Sequence, residues 1–378
     1  MKRYRLLGIV FITIVIVVSS IFKVTSGLSQ DTVAPASASN TNESAIPEKV
    51  IKLKGMIGSE KEALFNDPEI QNIAKTRFHI TIDTFKAGSL EMSNQKNFND
   101  NDFLFPASQT VVEKIKSLTK TSGTDDIFRT PLVYYSWDKV TKSLQTKGIV
   151  SKLQDGSFAV DNSKMIDLIV NDKKWNDIGL DIYGSIVIDT SDPKKSNSGN
   201  SYAALVATSL NQGNLITEAT LPGVIPQLQK VFLKSGFKKA STSDLFNEYL
   251  TTGMGSHKII VGYESDLLYF THQNATAWNS LKDSVTPRIL YPSPTLWSTH
   301  TIIALTPNGK IMNAFLKDPE IQKLAWERYG FRTGVIGIIN APAAHEIDGL
   351  SKSIDNVMQF PDSITMDHIL AAFETNDQ

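Results

Sequence analysis

A chain of 378 residues that is 41% hydrophobic and 20% charged can bury a large core in about two domains, which rules out a disordered or fibrous protein. With 38 Lys and Arg against 39 Asp and Glu, the formal net charge of −1 supplies no field for nucleic acid or an anionic membrane surface, so a charged ligand must be held by local groups. The absence of cysteine excludes disulfides, thiolate metal sites, a catalytic thiol and a lipid-modified cysteine anchor.

Lys2, Arg3 and Arg5 precede an apolar run at 6–22, the pattern of an export signal. Val24-Thr25-Ser26 and Ala36-Ser37-Ala38 each suit a peptidase that prefers small residues, while the run approaches membrane-spanning length. Residues 1–26 are therefore expected to be a signal peptide or a membrane anchor. The protein would sit on the extracellular side of the cytoplasmic membrane, held by residues 6–22, or be secreted after cleavage. Residues 27–47 are rich in Ser, Thr, Ala and Asn and read as a flexible linker.

From residue 49 onward short apolar runs alternate with longer helical ones, the signature of βα units and a mixed, mostly parallel sheet, hence an α/β fold. The run 50–57 reads as a strand, after which Ser59 is placed to cap a helix opening with Glu60-Lys61-Glu62. Further strands are expected at 80–83, 103–105, 132–135, 186–188, 259–262 and 301–305, with breaks at 191–198 and 284–294. Asp67-Pro68-Glu69-Ile70-Gln71 recurs as Asp318-Pro319-Glu320-Ile321-Gln322. Two distant copies do not make a stacked repeat; an Asp cap, Pro at the first helical position and an acid in the first turn are helix-start chemistry.

Phosphate-binding, dinucleotide, nucleophile-elbow and H-E-x-x-H patterns are all missing. The histidines are scattered, with no metal-ligand pair at helical spacing, so neither metal nor cofactor is expected. Asp100 with Asp102 and Asp125 with Asp126 read as solvated turns. In an open α/β sheet, ligands sit beyond the carboxyl ends of strands, beside helix N-termini. Four stretches have that character: Gly58-Ser59-Glu60, Ala87-Gly88-Ser89-Leu90-Glu91, Ser196-Asn197-Ser198-Gly199-Asn200-Ser201 and Gly262-Tyr263-Glu264-Ser265. Their small residues admit a ligand close to the backbone, and their hydroxyls both donate and accept.

The chain resembles the type II periplasmic or extracellular solute-binding proteins of ABC import systems, near the molybdate and sulfate binders. The resemblance is carried by Lys54-Gly55-Met56-Ile57-Gly58-Ser59-Glu60-Lys61, residues 130–138, residues 189–200, Tyr291-Pro292-Ser293-Pro294-Thr295, and the closing stretch 318–332. It covers residues 50 to 378 and implies two lobes joined by two crossing strands, at 132–137 and 288–294. Lobe one would comprise 48–130 and 288–378, and lobe two 131–287. It also implies capture of a small polar solute, such as an oxyanion, between the lobes for an ABC-type permease or another membrane protein, without catalysis. Carried over by position, the ligand-binding residues are Ser59, Ser89, Ser198, Asn200 and Tyr263, with Glu264 beside them. Glu60, Glu91 and Glu264 depart from an oxyanion site: if they face the cleft, a cationic or zwitterionic ligand fits better. Two alternatives stand beside this one. The first is an envelope interaction or sensory module on the same fold; the second is an extracellular hydrolase using Ser198 or Ser201, for which no base is identifiable.

Overall fold

The computed structural model describes residues 50–236 and 238–373; the signal or anchor expected at 1–26 and the linker expected at 27–47 lie outside them. Among the described residues no helix is long and apolar enough to cross a membrane. The strands are β1 (Ile51–Ile57), β2 (Ile80–Lys86), β3 (Phe103–Phe105), β4 (Gly123–Trp137), β5 (Val150–Lys152), β6 (Phe158–Asp161), β7 (Ile259–Tyr263), β8 (Pro287–Ser293), β9 (Trp297–Ala304) and β10 (Arg332–Thr333).

Alternation sets the first sheet. In β1, Leu53 and Ile57 are buried while Lys52 and Lys54 face water, the period-two pattern of a strand. The order is β2-β1-β3-β9-β4, with β1 parallel to β2 and β3, and β9 antiparallel to both β3 and β4. Apolar layers cover both faces: Leu53, Phe103, Phe128 and Phe315 belong to one, and Met92, Leu104, Val112 and Ile303 to the other. A sheet buried on both faces in this way is the α/β arrangement.

The 15-residue β4 belongs to two sheets. Gly123 to Pro131 pair with β9, whereas Leu132 to Ser136 pair with β7 and Tyr134 to Trp137 with β8. Beyond β8 the second sheet continues through β6 to β5. Its core is a separate apolar cluster holding Leu132, Tyr135, Trp137, Tyr202, Phe246, Ile260 and Leu290.

Several expectations need correction. Gly58 occupies the cap position, and Ser59 is the first residue of the single 3-10 turn Ser59–Lys61. Ile186 and Ile188 are buried but residues 186–188 form no strand: the segment meets β7 only at the Asp189–Ile260 bridge before the chain turns towards the next helix. The expected break at 284–294 contains β8, because Pro287 stands at the first residue of the strand, where a missing N–H is tolerated. Of the crossings expected at 132–137 and 288–294, all but Pro294 pair within the second sheet, and the change of sheet falls at Pro131-Leu132 and at 294–296. Residues 288–378 do not all stay with the first sheet. The helix Ser363–Ala371 places Met366 and Ile369 in the second core, so the chain crosses a third time.

The echoed motifs cap their helices and then bind each other. Asp67 accepts from the N–H of Glu69 and Ile70 at the start of the helix Pro68–Arg77, and Asp318 does the same for Glu320 and Ile321 at the start of Pro319–Tyr329. Arg77, at the end of the first helix, binds Asp318 and Glu320 at the start of the second. Arg328, near the end of the second, binds Asp67 at 2.8 Å and also Glu69 at the start of the first. Tyr329 adds a 2.8 Å bond to Asp67. Burial alone would raise the Asp67 carboxyl, but the Tyr329, Arg328 and backbone donors hold it below its ordinary value. Its contribution is thus present at neutral pH and is lost as pH falls below about 4. Asp67→Ala should lower unfolding stability by about 2–3 kcal/mol at pH 7, through loss of a cap and of charge-assisted bonds. Asp318→Ala, which keeps the Tyr329 contact, should cost less in the same urea titration.

Candidate functional site

A cavity of about 330 Å³ lies where loops of the two cores face each other. The first sheet contributes Ser59 and Glu60 after β1, Lys86 and Ser89 at the end of β2 and just past it, Ala107 after β3, Thr130 of β4, and Ser298 and His300 of β9. The other side is made by helix starts: Ser196 and Asn197 at Asn197–Leu210, Thr242 at Thr242–Thr252, and Tyr263, Ser265 and Asp266 around the start of Glu264–Gln273. Free N–H groups at such starts favour polar and negative ligand groups. A side chamber of about 200 Å³ shares Ser59, Glu60, Ser265 and Asp266 and adds Glu62, Tyr269, Tyr329 and Phe331.

Asn197 spans the cavity. Its Nδ2 donates to the Ala107 carbonyl at 2.8 Å and to Ser298 Oγ at 3.3 Å on the opposite side, and to Tyr263 Oη at 2.9 Å on its own. Burial pushes the Tyr263 phenol far up, so it stays a neutral donor and acceptor. The helix start is held tightly against the loop before it: a Cβ on Gly199 would lie 2.3 Å from the Ser191 carbonyl oxygen, so only glycine fits there.

The floor is ionic. Lys61 is fully buried, pairs with Glu60, lies 3.1 Å from His300 Nδ1 and sits 4.9 Å from the Phe105 ring centroid. Burial pulls Lys61 down, opposed by the Glu60 carboxylate. Burial, aided by the Lys61 charge, also keeps His300 neutral. Asp266 accepts the Tyr263 N–H at 2.9 Å; burial, with Glu60 nearby, pushes its carboxyl up to about 7.

Of the residues expected from sequence, Ser59, Ser89 and Tyr263 line the cavity. Ser89 Oγ also accepts from the Ala107 N–H at 3.0 Å. Asn200 lines a small adjoining cavity of about 20 Å³ together with Ser89 and Asn197. Ser198 lies one layer behind, fully buried, bonded to Ser191 at 2.8 Å, Ser196 at 3.2 Å and Thr242 at 2.6 Å. These partners are all hydroxyls and none is a base. Glu264 turns away from the cavity: Arg332 grips it at 2.6 and 2.9 Å, and Tyr291 donates at 2.6 Å. As the first residue of its helix it points to the far side, and Asp266, two residues on, faces the cavity in its place. Sequence reasoning missed Asn197, Thr242, Asp266, Ser298 and His300. The hydroxyl run Ser241-Thr242-Ser243 was a usable signal; Ser298 and His300 lie inside a strand and gave none.

No family model matches the sequence, and no curated protein matches it. Solved structures match in fold. The substrate binding protein of an ABC transporter from Agrobacterium tumefaciens is 14% identical, with a TM-score of 0.53 over 88% of this chain and 95% of that one. Apo ferric ion-binding protein A of Pasteurella haemolytica is 14% identical, with a TM-score of 0.53 over 86% of this chain and 95% of that one. A two-component system protein that mediates signal transduction is 12% identical, with a TM-score of 0.51 over 86% of this chain and 100% of that one. The fold is therefore the two-lobed α/β architecture of periplasmic and extracellular solute-binding proteins, as the sequence resemblance implied.

Asn197→Ala removes the side-chain bond that spans the cavity. X-ray scattering should then give a larger radius of gyration for the ligand-free variant with its melting temperature little changed; equal radii would show that the bond does not hold the sides together. For Asp266, a folded-state pKa of about 7 against an ordinary 3.8 means that stability declines as pH rises from about 4 to about 7. Asp266→Asn keeps an acceptor for Tyr263 and should flatten that decline, melting higher than the parent at pH 8 and no higher at pH 4.

Proposed function

We propose that this chain is an exported or membrane-tethered solute-binding protein that captures a small polar ligand between its lobes and delivers it to an ABC-type permease, without chemical turnover. The observation that carries this is the cavity between the two cores, ringed by hydroxyls and helix starts and spanned by Asn197. Its volume falls within the range of small-molecule sites. Closure would be favoured by a ligand that contacts both sides at once and so binds the closed state better than the open one. The hinge would comprise Pro131-Leu132 and residues 294–296, and the site would centre on Ser59, Ser89, Asn197, Tyr263 and Ser265. The N-terminal sequence pattern supports export to the extracellular side, with anchoring by residues 6–22 or secretion after cleavage.

The likeness in fold to a two-component system protein supports a second reading, in which the same binding event signals to a neighbouring membrane protein. The two differ in partner: cross-linking in membranes should recover a permease under the first reading and a sensor under the second.

The binding step is tested by thermal shift of the full chain in mild detergent against oxyanions, amino acids, sugars and polyamines. One class should give a saturable rise in melting temperature, since a ligand that binds only the native state stabilises it by mass action. Ser89→Ala and Tyr263→Phe should each weaken binding of that ligand by about 1–3 kcal/mol, the cost of a polar group left unpaired in a closed cavity, with little change in the unliganded melting temperature. Unchanged affinity in both variants would place the ligand elsewhere.

A further inference from the structure

Charge matching around the cavity is uneven. Lys86 pairs with Glu62 at 3.1 Å, Lys195 with Asp192 at 3.6 Å, and Lys61 with Glu60. Asp266 and Glu91 also line the cavity, and among the described residues neither has a cationic partner. Above about pH 7, where the Asp266 carboxyl is ionised, the lining carries uncompensated negative charge beside Asp266 and Glu91, and a lone anion placed next to them would be repelled. The side chamber sets Asp266 beside Tyr269, Tyr329 and Phe331; Glu60 and Glu62 share its wall, each paired with a lysine that stands outside it. A carboxylate beside aromatic rings suits a cation borne on a carbon skeleton. The hydroxyls of Ser59 and Ser265, shared by both spaces, provide acceptors for ammonium N–H groups.

His300 supplies a second, independent sign. It is 1% exposed, forms part of the cavity wall, and its Nε2 has no hydrogen-bond partner. Because Nδ1 lies 3.1 Å from the Lys61 ammonium and accepts from it, Nε2 carries the ring proton and lacks an acceptor. Resting on the solute-binding function proposed above, we propose that the ligand is an organic amine. Its ammonium group docks between Glu60 and Asp266, its carbon skeleton lies towards Tyr329 and Phe331, and an oxygen on the same molecule meets the polar wall of the main cavity. Amino acids and amino alcohols are in this class; sulfate, molybdate and neutral sugars are not.

The test is calorimetric titration and thermal shift of the full chain in mild detergent at pH 8, where Asp266 is ionised, with L-lysine, L-ornithine, 4-aminobutyrate and 4-aminobutanol. Hexanoate, pentanoate, butyrate and butanol serve as the deaminated counterparts, and sulfate, molybdate and maltose as other classes. At least one amine should bind saturably, at least tenfold tighter than its deaminated counterpart, and at least tenfold weaker to Asp266→Asn. That variant is preferred to Glu60→Gln, which strands the buried Lys61 and risks unfolding; circular dichroism confirms that it folds. Saturable binding of sulfate, molybdate or maltose with none of any amine leaves a solute-binding protein and overturns the amine assignment. Amine binding that Asp266→Asn leaves within twofold of the parent overturns the docking position. Silence across this panel overturns the amine assignment, and silence in the wider screen above removes the solute-binding function as well.

Discussion

The structure depends on the continuity of β4. A single strand supplies hydrogen-bond partners to β9 along its first half and to β7 and β8 along its second, so the register of one sheet fixes that of the other. The change of partners falls at Pro131, which has no N–H to offer a ladder, and at Leu132, whose N–H goes to the Leu296 carbonyl at 2.9 Å. Thr130 Oγ1 accepts the Ser265 N–H at 3.1 Å, and Thr295 Oγ1 donates to the Leu132 carbonyl at 2.6 Å. The same few residues thus join the sheets, orient a helix start that faces the cavity and lie against the cavity itself.

Around that junction the polar groups divide into those satisfied by the protein and those left for something else. Glu264, Arg332 and Tyr291 form a closed, fully bonded group, with Arg332 also reaching the Ser351 carbonyl at 2.5 Å. Removing either charge would leave its partner buried and unpaired, so this group is structural in character. His300, in the cavity wall, differs: among the described residues its buried Nε2 has no hydrogen-bond partner. Buried polar groups in native proteins are rarely left so without a reason in function.

Much of the architecture was legible in the sequence, because it is written in local patterns. Short apolar runs announced β1, β2, β3 and β7, and the two Asp-Pro-Glu motifs announced helix starts. The two motifs reach across to each other's arginines, and that pairing could not be read, because nothing local in residues 67–77 refers to residues 318–328. The failures follow the same logic. Pro287 and Pro292 suggested a break, yet β8 accommodates them at its start and in its short pairing with β6. Ile186 and Ile188 had the composition of a strand, but β7 offers their segment only one pairing position. At the site, loop composition located Ser59, Ser89 and Tyr263. It could not tell which of Glu264 and Asp266 faces inward, since that is set by helix phase and by a distant arginine.

The return of the chain to the second core changes how the two halves are strapped together. Thr295, in the connection between β8 and β9, receives the Met358 N–H at 2.9 Å and donates its own to the Asn356 carbonyl at 3.0 Å. The outgoing connection and the returning tail are thereby laced into one ribbon, with β4 as the other strap. Any swing of one half against the other must flex this ribbon as a unit. The helix Ser363–Ala371 then moors that tail to the second core through Met366 and Ile369, so the end of the chain fastens the half it has returned to.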